Sequence, residues 1–224
     1  YGDYDADGIT AISLLYQVLS HLTDNLSYYI PSRFDEGYGL NNEAIDAIKA
    51  DGAGLIVTVD CGSVSYAEAE HAKAIGMPLM VTDHHSITDR RADCILINPK
   101  RQDCPYPFKH LAGVGVAFKL AQALLGRRAE ELVDLCGVAT IGDMVGLLGE
   151  NRALAYLGLE KLRQAPCLGF RALAKAADIR LAGVRSYGVA FGLVPRINAA
   201  GRLEHASLAL RLLLAEDLGE AEQL

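Results

Sequence analysis

The chain has 224 residues, 51% hydrophobic and 22% charged, enough for one large domain or a domain plus part of another. No apolar run reaches the roughly 18–20 residues of a membrane span and no signal-peptide pattern opens the chain, so a soluble, cytoplasmic protein is expected. Five cysteines (Cys61, Cys94, Cys104, Cys136, Cys167) form an odd set without a Cys-x-x-Cys pair, which argues against a disulfide framework or a structural zinc site. The formal net charge is −7, yet residues 161–211 carry nine cations against two anions, a local excess of +7 that leaves −14 for the remainder. That division suits either an enzyme that holds cations in one lobe and grips phosphates from another, or a set of solvated helix faces.

The first eight residues, Tyr1-Gly2-Asp3-Tyr4-Asp5-Ala6-Asp7-Gly8, place three carboxylates at alternate positions before a glycine. On a continuing strand they would share one face and repel. A divalent cation among them is one remedy, since Asp oxygens are hard ligands suited to Mg²⁺ and Mn²⁺; a solvated acidic turn is the other. Gly8 would let the chain turn away behind them. The chain opens without Met on a motif expected to follow a strand and stops inside a helical pattern, so it reads as an excerpt.

Ile12, Leu15, Val18, Leu19 and Leu22 keep helical spacing, with Thr10 as N-cap candidate. Leu26–Ile30 reads as a strand ending at Pro31, residues 33–39 as a loop, and Asn42–Lys49 as a helix. Gly54–Asp60 is an apolar run typical of a parallel strand buried on both faces, and it ends on an Asp. A polar helix over Tyr66–Ile75 precedes a second such strand, which ends on Asp83-His84-His85. Ile95–Ile97 follows, then the turn signal Asn98-Pro99. Alternating strands and helices predict an α/β fold, a doubly wound, mostly parallel sheet, with ligands beyond the carboxyl ends of the strands. Three successive segments carry ionisable residues to that edge.

From Ala112 the pattern turns helical, with Gly113 and Gly115 allowing close packing. Helical periodicity begins again at Glu130 and covers Asn151–Gln164, Phe170–Ala177 and Ser207–Ala215. Asp143, among apolar neighbours, requires a partner when buried; it is either a helix N-cap or a fourth carboxylate site. The expected organisation is a metal-binding α/β domain over 1–150 and a helical connector over 151–224. So many oxygen and imidazole donors from four segments exceed the needs of one cation and fit two, a device that makes a nucleophile and neutralises a leaving oxygen at phosphate esters.

Asp3-Tyr4-Asp5-Ala6-Asp7-Gly8, Val59-Asp60-Cys61-Gly62, Asp83-His84-His85 and Gly142-Asp143-Met144 resemble, in order, the first four motifs of the DHH phosphoesterase superfamily. Gly37-Tyr38-Gly39-Leu40 and the segment from Pro195 through Arg196-Ile197-Asn198-Ala199-Ala200-Gly201-Arg202 to Leu203 are similar to its RecJ branch, the bacterial single-stranded-DNA exonucleases. The resemblance implies two Mn²⁺ or Mg²⁺ ions. Asp7, Asp60, His84 and Asp143 would hold one, and Asp5 and Asp60, helped by Asp3, the other. His85 would lie nearer the substrate phosphate, with Asp60, His84 and His85 as the catalytic set and Asp83 orienting its neighbours. One position departs, since several superfamily members carry His where this chain has Tyr1. A second, substrate-binding domain with a glycine-rich motif is not in the sequence.

By the same resemblance the intact protein would hydrolyse single-stranded DNA from its 5′ end to nucleoside monophosphates in DNA repair and recombination. Arg33, Arg196, Asn198 and Arg202 would grip phosphates unless they serve helix packing and surface ion pairs. A single-stranded-DNA-binding protein or a helicase is the expected kind of protein partner, no membrane is expected, and the oligomeric state stays open. Two alternatives remain: a DHH phosphoesterase acting on nano-RNA, cyclic dinucleotides or pyrophosphate, and a non-catalytic scaffold that binds single-stranded DNA.

Overall fold

The structure is a computed structural model and describes residues 1–203 and 206–224. Three short strands, β1 (Ile56–Val59), β2 (Leu79–Thr82) and β3 (Ile95–Ile97), form a parallel sheet in the order β1-β2-β3. Ile56 pairs with Leu79 and Met80 with Ile95, so both strand-end segments, Asp60 and Asp83–His85, leave the sheet at the same edge. Strands this short and apolar are stable only when covered on both faces. Helices α2 (Asn42–Ala50) and α3 (Tyr66–Ala74) cover one face through a cluster including Ile45, Ile56, Leu79 and Val81. The helices α1 (Ala6–Ser20), α4 (Gly113–Leu125) and α5 (Val133–Gly142) form the other layer. The expected α/β architecture is therefore present.

The larger core continues through α6 (Gly149–Gln164) and α7 (Leu168–Ala176). A composite helix follows, built of α8 (Ser186–Gly188), a π turn over Val189–Leu193 and α9 (Val194–Leu203), before α10 (Ser207–Leu214) and α11 (Leu218–Gln223). Leu154, Leu162, Phe170, Leu193 and Leu210 bury in the same cluster as Ile9, Leu14 and Val116. The extension beyond residue 150 is thus packed onto the layer that carries the acidic motifs. No helix among the described residues is long and apolar enough to cross a membrane.

Three local expectations change. Leu26–Ile30 forms no strand. Its link to the sheet is the Gly2 N–H donating to the Tyr29 carbonyl at 3.2 Å, beside an isolated Gly2–Val59 bridge, because the intervening segment leaves the extended path at Asp5. Helix α1 starts earlier than Thr10, with Asp5 as N-cap, and Thr10 instead donates its hydroxyl to the Ala6 carbonyl at 2.7 Å. Gly8 lies inside the first turn of α1 rather than in a bend; a Cβ there would meet the Asp3 backbone at 2.5 Å.

Candidate metal centre

The alternate carboxylates of the opening motif do not share a strand face. Asp3 precedes the helix, Asp5 caps α1 in extended backbone by accepting the N–H groups of Asp7 and Gly8 at 2.9 and 3.0 Å, and Asp7 lies in the first helical turn. The change from extended to helical backbone sends them to two places. Asp3 and Asp5 gather with Asp60, whereas Asp7 gathers with His84 and Asp143, donor atoms within each group lying within 4.8 Å of one another. A third grouping joins Asp60, His84 and His85. Asp60 borders both sides, and His84 Nε2 lies 3.2 Å from Asp60 Oδ1, 3.8 Å from Asp143 Oδ2 and 3.9 Å from Asp7 Oδ2.

Each side chain is held by its own local device. Asp60 follows β1 in the left-handed region at φ 59°, an uncommon conformation for a non-glycine residue. The N-terminus of α4 clamps Asp7: Gly113 and Val114 donate their N–H groups to its two oxygens at 2.7 and 2.9 Å. A Cβ at Gly113 would collide with the Asp60 carboxylate, so the glycine is what lets the helix terminus approach. Asp83 accepts from the backbone N–H groups of His84 and His85 at 2.7 and 3.1 Å, from Ser63 N–H at 2.9 Å and from His85 Nδ1 at 2.8 Å. Asp143 follows the last residue of α5 and is not a helix N-cap.

The electrostatics of this cluster call for positive charge. Burial and the neighbouring Asp5 push Asp3 up to about 7. Burial, then Asp60 and Asp143, raise Asp7 well above the usual carboxylate range; burial with Asp5 and Asp3 does the same to Asp60. Burial also raises Asp143. Asp83 is the exception: burial opposes its charge, but hydrogen bonds from His85 and Ser63 hold it well below its ordinary value. Asp60 Oδ1, Asp143 Oδ2 and both ring nitrogens of His84 are buried without a hydrogen-bond partner. Unpaired buried polar atoms are rare and costly, and His84 Nε2 with the neighbouring oxygens of Asp60 and Asp143 forms a donor set suited to hard or borderline divalent cations.

Tyr1 is committed elsewhere: its hydroxyl donates to the Gly39 carbonyl at 2.7 Å and its ring stacks on Tyr29 at 5.3 Å. His85 is half-exposed at the rim, 3.4 Å from the Tyr38 hydroxyl. Arg33 stacks over the Tyr4 ring at 5.3 Å, close enough to favour the ionised form of Asp3. Asn198 Oδ1 accepts the Ala6 N–H at 2.7 Å, tying α9 to the start of α1. Arg196 and Arg202 are exposed, Arg196 spending one donor on the Gly192 carbonyl at 2.6 Å.

Sequence reasoning passed over Lys100, which shares a cavity of about 240 Å³ with His84, Phe108 and His110 and lies near enough to favour the charged form of Asp143. Its signal was a cation directly after the Asn98-Pro99 turn at a strand end. The role of Gly113 had no comparable local signal, because its partner lies 53 positions away.

Residues 1–142 match the family model described as the DHH family, N-terminal domain. The whole chain aligns with the single-stranded-DNA-specific exonuclease RecJ of Bacillus subtilis at 48% identity and with that of Escherichia coli at 41%, covering 29% and 42% of those proteins. A crystal structure of exonuclease RecJ bound to manganese superposes with a TM-score of 0.89 at 38% identity, over 99% of this chain and 57% of that one. The spacing of the four acidic and histidine motifs, their convergence at one sheet edge and these matches agree: the chain belongs to the DHH family, whose N-terminal domain it carries.

Proposed function

We propose that the chain is the metal-bearing lobe of a phosphodiesterase that shortens single-stranded DNA from its 5′ end, releasing nucleoside monophosphates in DNA repair and recombination. The observation that carries this reading is the double use of Asp60, which joins the Asp3/Asp5 group to the group around His84, with orphaned donor atoms on Asp60, His84 and Asp143. The RecJ relatives, one of them seen with manganese, support Mn²⁺ or Mg²⁺ as cofactor and single-stranded DNA as substrate. Asp7, Asp60, His84 and Asp143 would hold one cation; Asp3, Asp5 and Asp60 the other.

When bound, such a pair supplies a nucleophile at neutral pH and neutralises charge on the leaving oxygen. The chain's own residues do the rest. Asp83 fixes His85 through Nδ1, which turns its other nitrogen toward the half-exposed rim where a phosphodiester arrives. Arg33 stands over Tyr4 beside Asp3, placed to meet a phosphate oxygen, and Arg202 extends from the helix that Asn198 ties to the motif. Such contacts grip backbone without reading bases, so little sequence preference is expected.

Digestion of 5′- and 3′-labelled single strands by the full-length protein with Mn²⁺, beside duplex, short oligoribonucleotide and pyrophosphate controls, tests the reading. Release of labelled mononucleotide from the 5′ end, abolished by EDTA, is the expected result. Preference for oligoribonucleotides or pyrophosphate would move the protein to another branch of the family, and cation-independent binding without cleavage would make it a scaffold.

A further inference from the structure

The composite helix Ser186–Leu203 is unusual in three ways. Tyr187 and Phe191 are 74% and 68% exposed, and their rings pack against each other at 4.7 Å between centroids. A π turn lies beneath them: the N–H of Val194 reaches back five residues to Val189. Pro195 accounts for it, since a proline inside a helix has no N–H to give and clashes with the preceding turn; widening that turn accommodates the ring. The neighbouring Gly192 carbonyl accepts from the Arg196 side chain at 2.6 Å.

The exposed rings also lie on the helix that leads to the acidic cluster. Pro195, Asn198 and Arg202 follow one another at intervals of three and four residues along one face of α9, and the ring pair Tyr187/Phe191 precedes them on the same composite helix, across the π turn. That face reaches the metal centre at Asn198, which holds the Ala6 N–H, and at Gly201, where a Cβ would meet the Tyr4 carbonyl at 2.9 Å. Farther along, Val194 packs on Gly142, next to Asp143. Phe191 to Asn198 is seven residues, about 10 Å along a helix axis. Arg185 and Arg196 lie beside these residues and Arg202 continues them, and among the described residues none of the three arginines has a carboxylate partner.

We propose that this face is a track for single-stranded nucleic acid: bases of nucleotides beyond the one being cleaved stack on Tyr187 and Phe191, while the flanking arginines steer the backbone toward the acidic cluster. The inference rests on reading that cluster as a single-strand nuclease centre, and adds to it where the rest of the strand lies. Exposed aromatic rings beside unpaired cations are what non-specific single-strand binding requires, because every base offers a face to stack and every linkage a charge. Three exposed arginines beside the ring pair, with no carboxylate partner among the described residues, favour a polyanion as the occupant.

The test uses the full-length protein and its Tyr187→Ala/Phe191→Ala double variant, with oligodeoxythymidylate of about ten nucleotides and a thymidine dinucleotide as substrates. Binding of the labelled longer strand is followed by anisotropy in EDTA. The expected result is a weakening of long-strand binding by roughly 5- to 150-fold and a collapse of the kcat/KM preference for the longer strand over the dinucleotide. Tyr187→Phe/Phe191→Tyr, which keeps both rings, restores the preference. A double variant that keeps the wild-type preference and binding overturns the track. So does an equal fall on both substrates together with a lowered melting temperature, which would assign the rings to a packed contact in the longer chain. Absence of wild-type cleavage of either strand overturns the nuclease reading itself, and the two failures are thereby distinguished.

Discussion

Asp60 carries more than any other side chain in the site: it sits in left-handed backbone, borders both donor groups and is surrounded by like charge. Such a conformation costs about 1–3 kcal/mol and persists where surrounding structure enforces it. Asp60→Ala is expected to lower turnover at least roughly 10³-fold, as loss of a group touching the reacting charge does. It removes buried negative charge, so the metal-free variant should melt no lower than the metal-free wild type. Near-normal turnover with full metal content would sink the assignment. Gly113→Ala probes the support of the same residue. Its Cβ would press on the Asp60 carboxylate, so a Mn²⁺ titration should show affinity reduced by roughly 10–100-fold, the usual effect of disturbing a group that orients ligands. The candidate ligands were legible because ionisable residues at successive strand ends are unusual and their motifs ordered. The Asp60 backbone and the Gly113 approach were not, since both arise from packing between segments distant in sequence.

At the scale of elements, apolar periodicity located the three parallel strands and most of the longer helices but not α9 or α11, and it failed where a partner was required. Leu26–Ile30 has the composition of a strand, but its neighbour bends into α1 after a single bridge, so no ladder forms. The Thr10 cap was misplaced because Asp5 can serve as N-cap as well as face the cluster. Asp134 in α5 shows a polar tie that periodicity cannot reveal. It is buried, accepts the Cys167 N–H at the start of α7 at 2.8 Å and lies 4.0 Å from Lys161 of α6. Burial raises its pKa, against the smaller opposing effects of that N–H and Lys161. A carboxyl that binds its proton more tightly when folded contributes stability fully present below its unfolded value and lost as pH rises through the folded value. Asp134→Asn keeps an oxygen for Cys167 but does not titrate. The stability of Asp134→Asn relative to wild type should therefore improve as pH rises from about 4 toward neutrality, a trend read from denaturant midpoints across pH. A difference flat with pH would show that the folded carboxyl titrates normally.

Over the whole molecule, charge is divided as composition suggested: the cations of residues 161–211 lie on the helical extension, whereas the acidic motifs converge at the sheet edge. Composition could not show that the two regions share one core, which Leu14, Phe170 and Leu210 establish by burying in the same cluster. Shared packing makes cation binding a matter of stability as well as chemistry. Without cations, three buried carboxylates and the partly buried Asp143 repel one another and weaken the fold at the point where α1, β1 and α5 meet. A ligand that binds only the folded state stabilises it by about 2.7 kcal/mol at a hundred times its dissociation constant, which for 150–250 residues corresponds to roughly 5–10 °C. Mn²⁺ should therefore raise the melting temperature of this lobe by about that amount per occupied site, EDTA should reverse it, and Asp60→Ala should abolish most of it. Sodium chloride at matched ionic strength separates the two explanations available. If salt alone reproduced the gain, the effect would be screening of an acidic surface, whereas a gain confined to divalent cations and lost with Asp60 places them among the converging carboxylates.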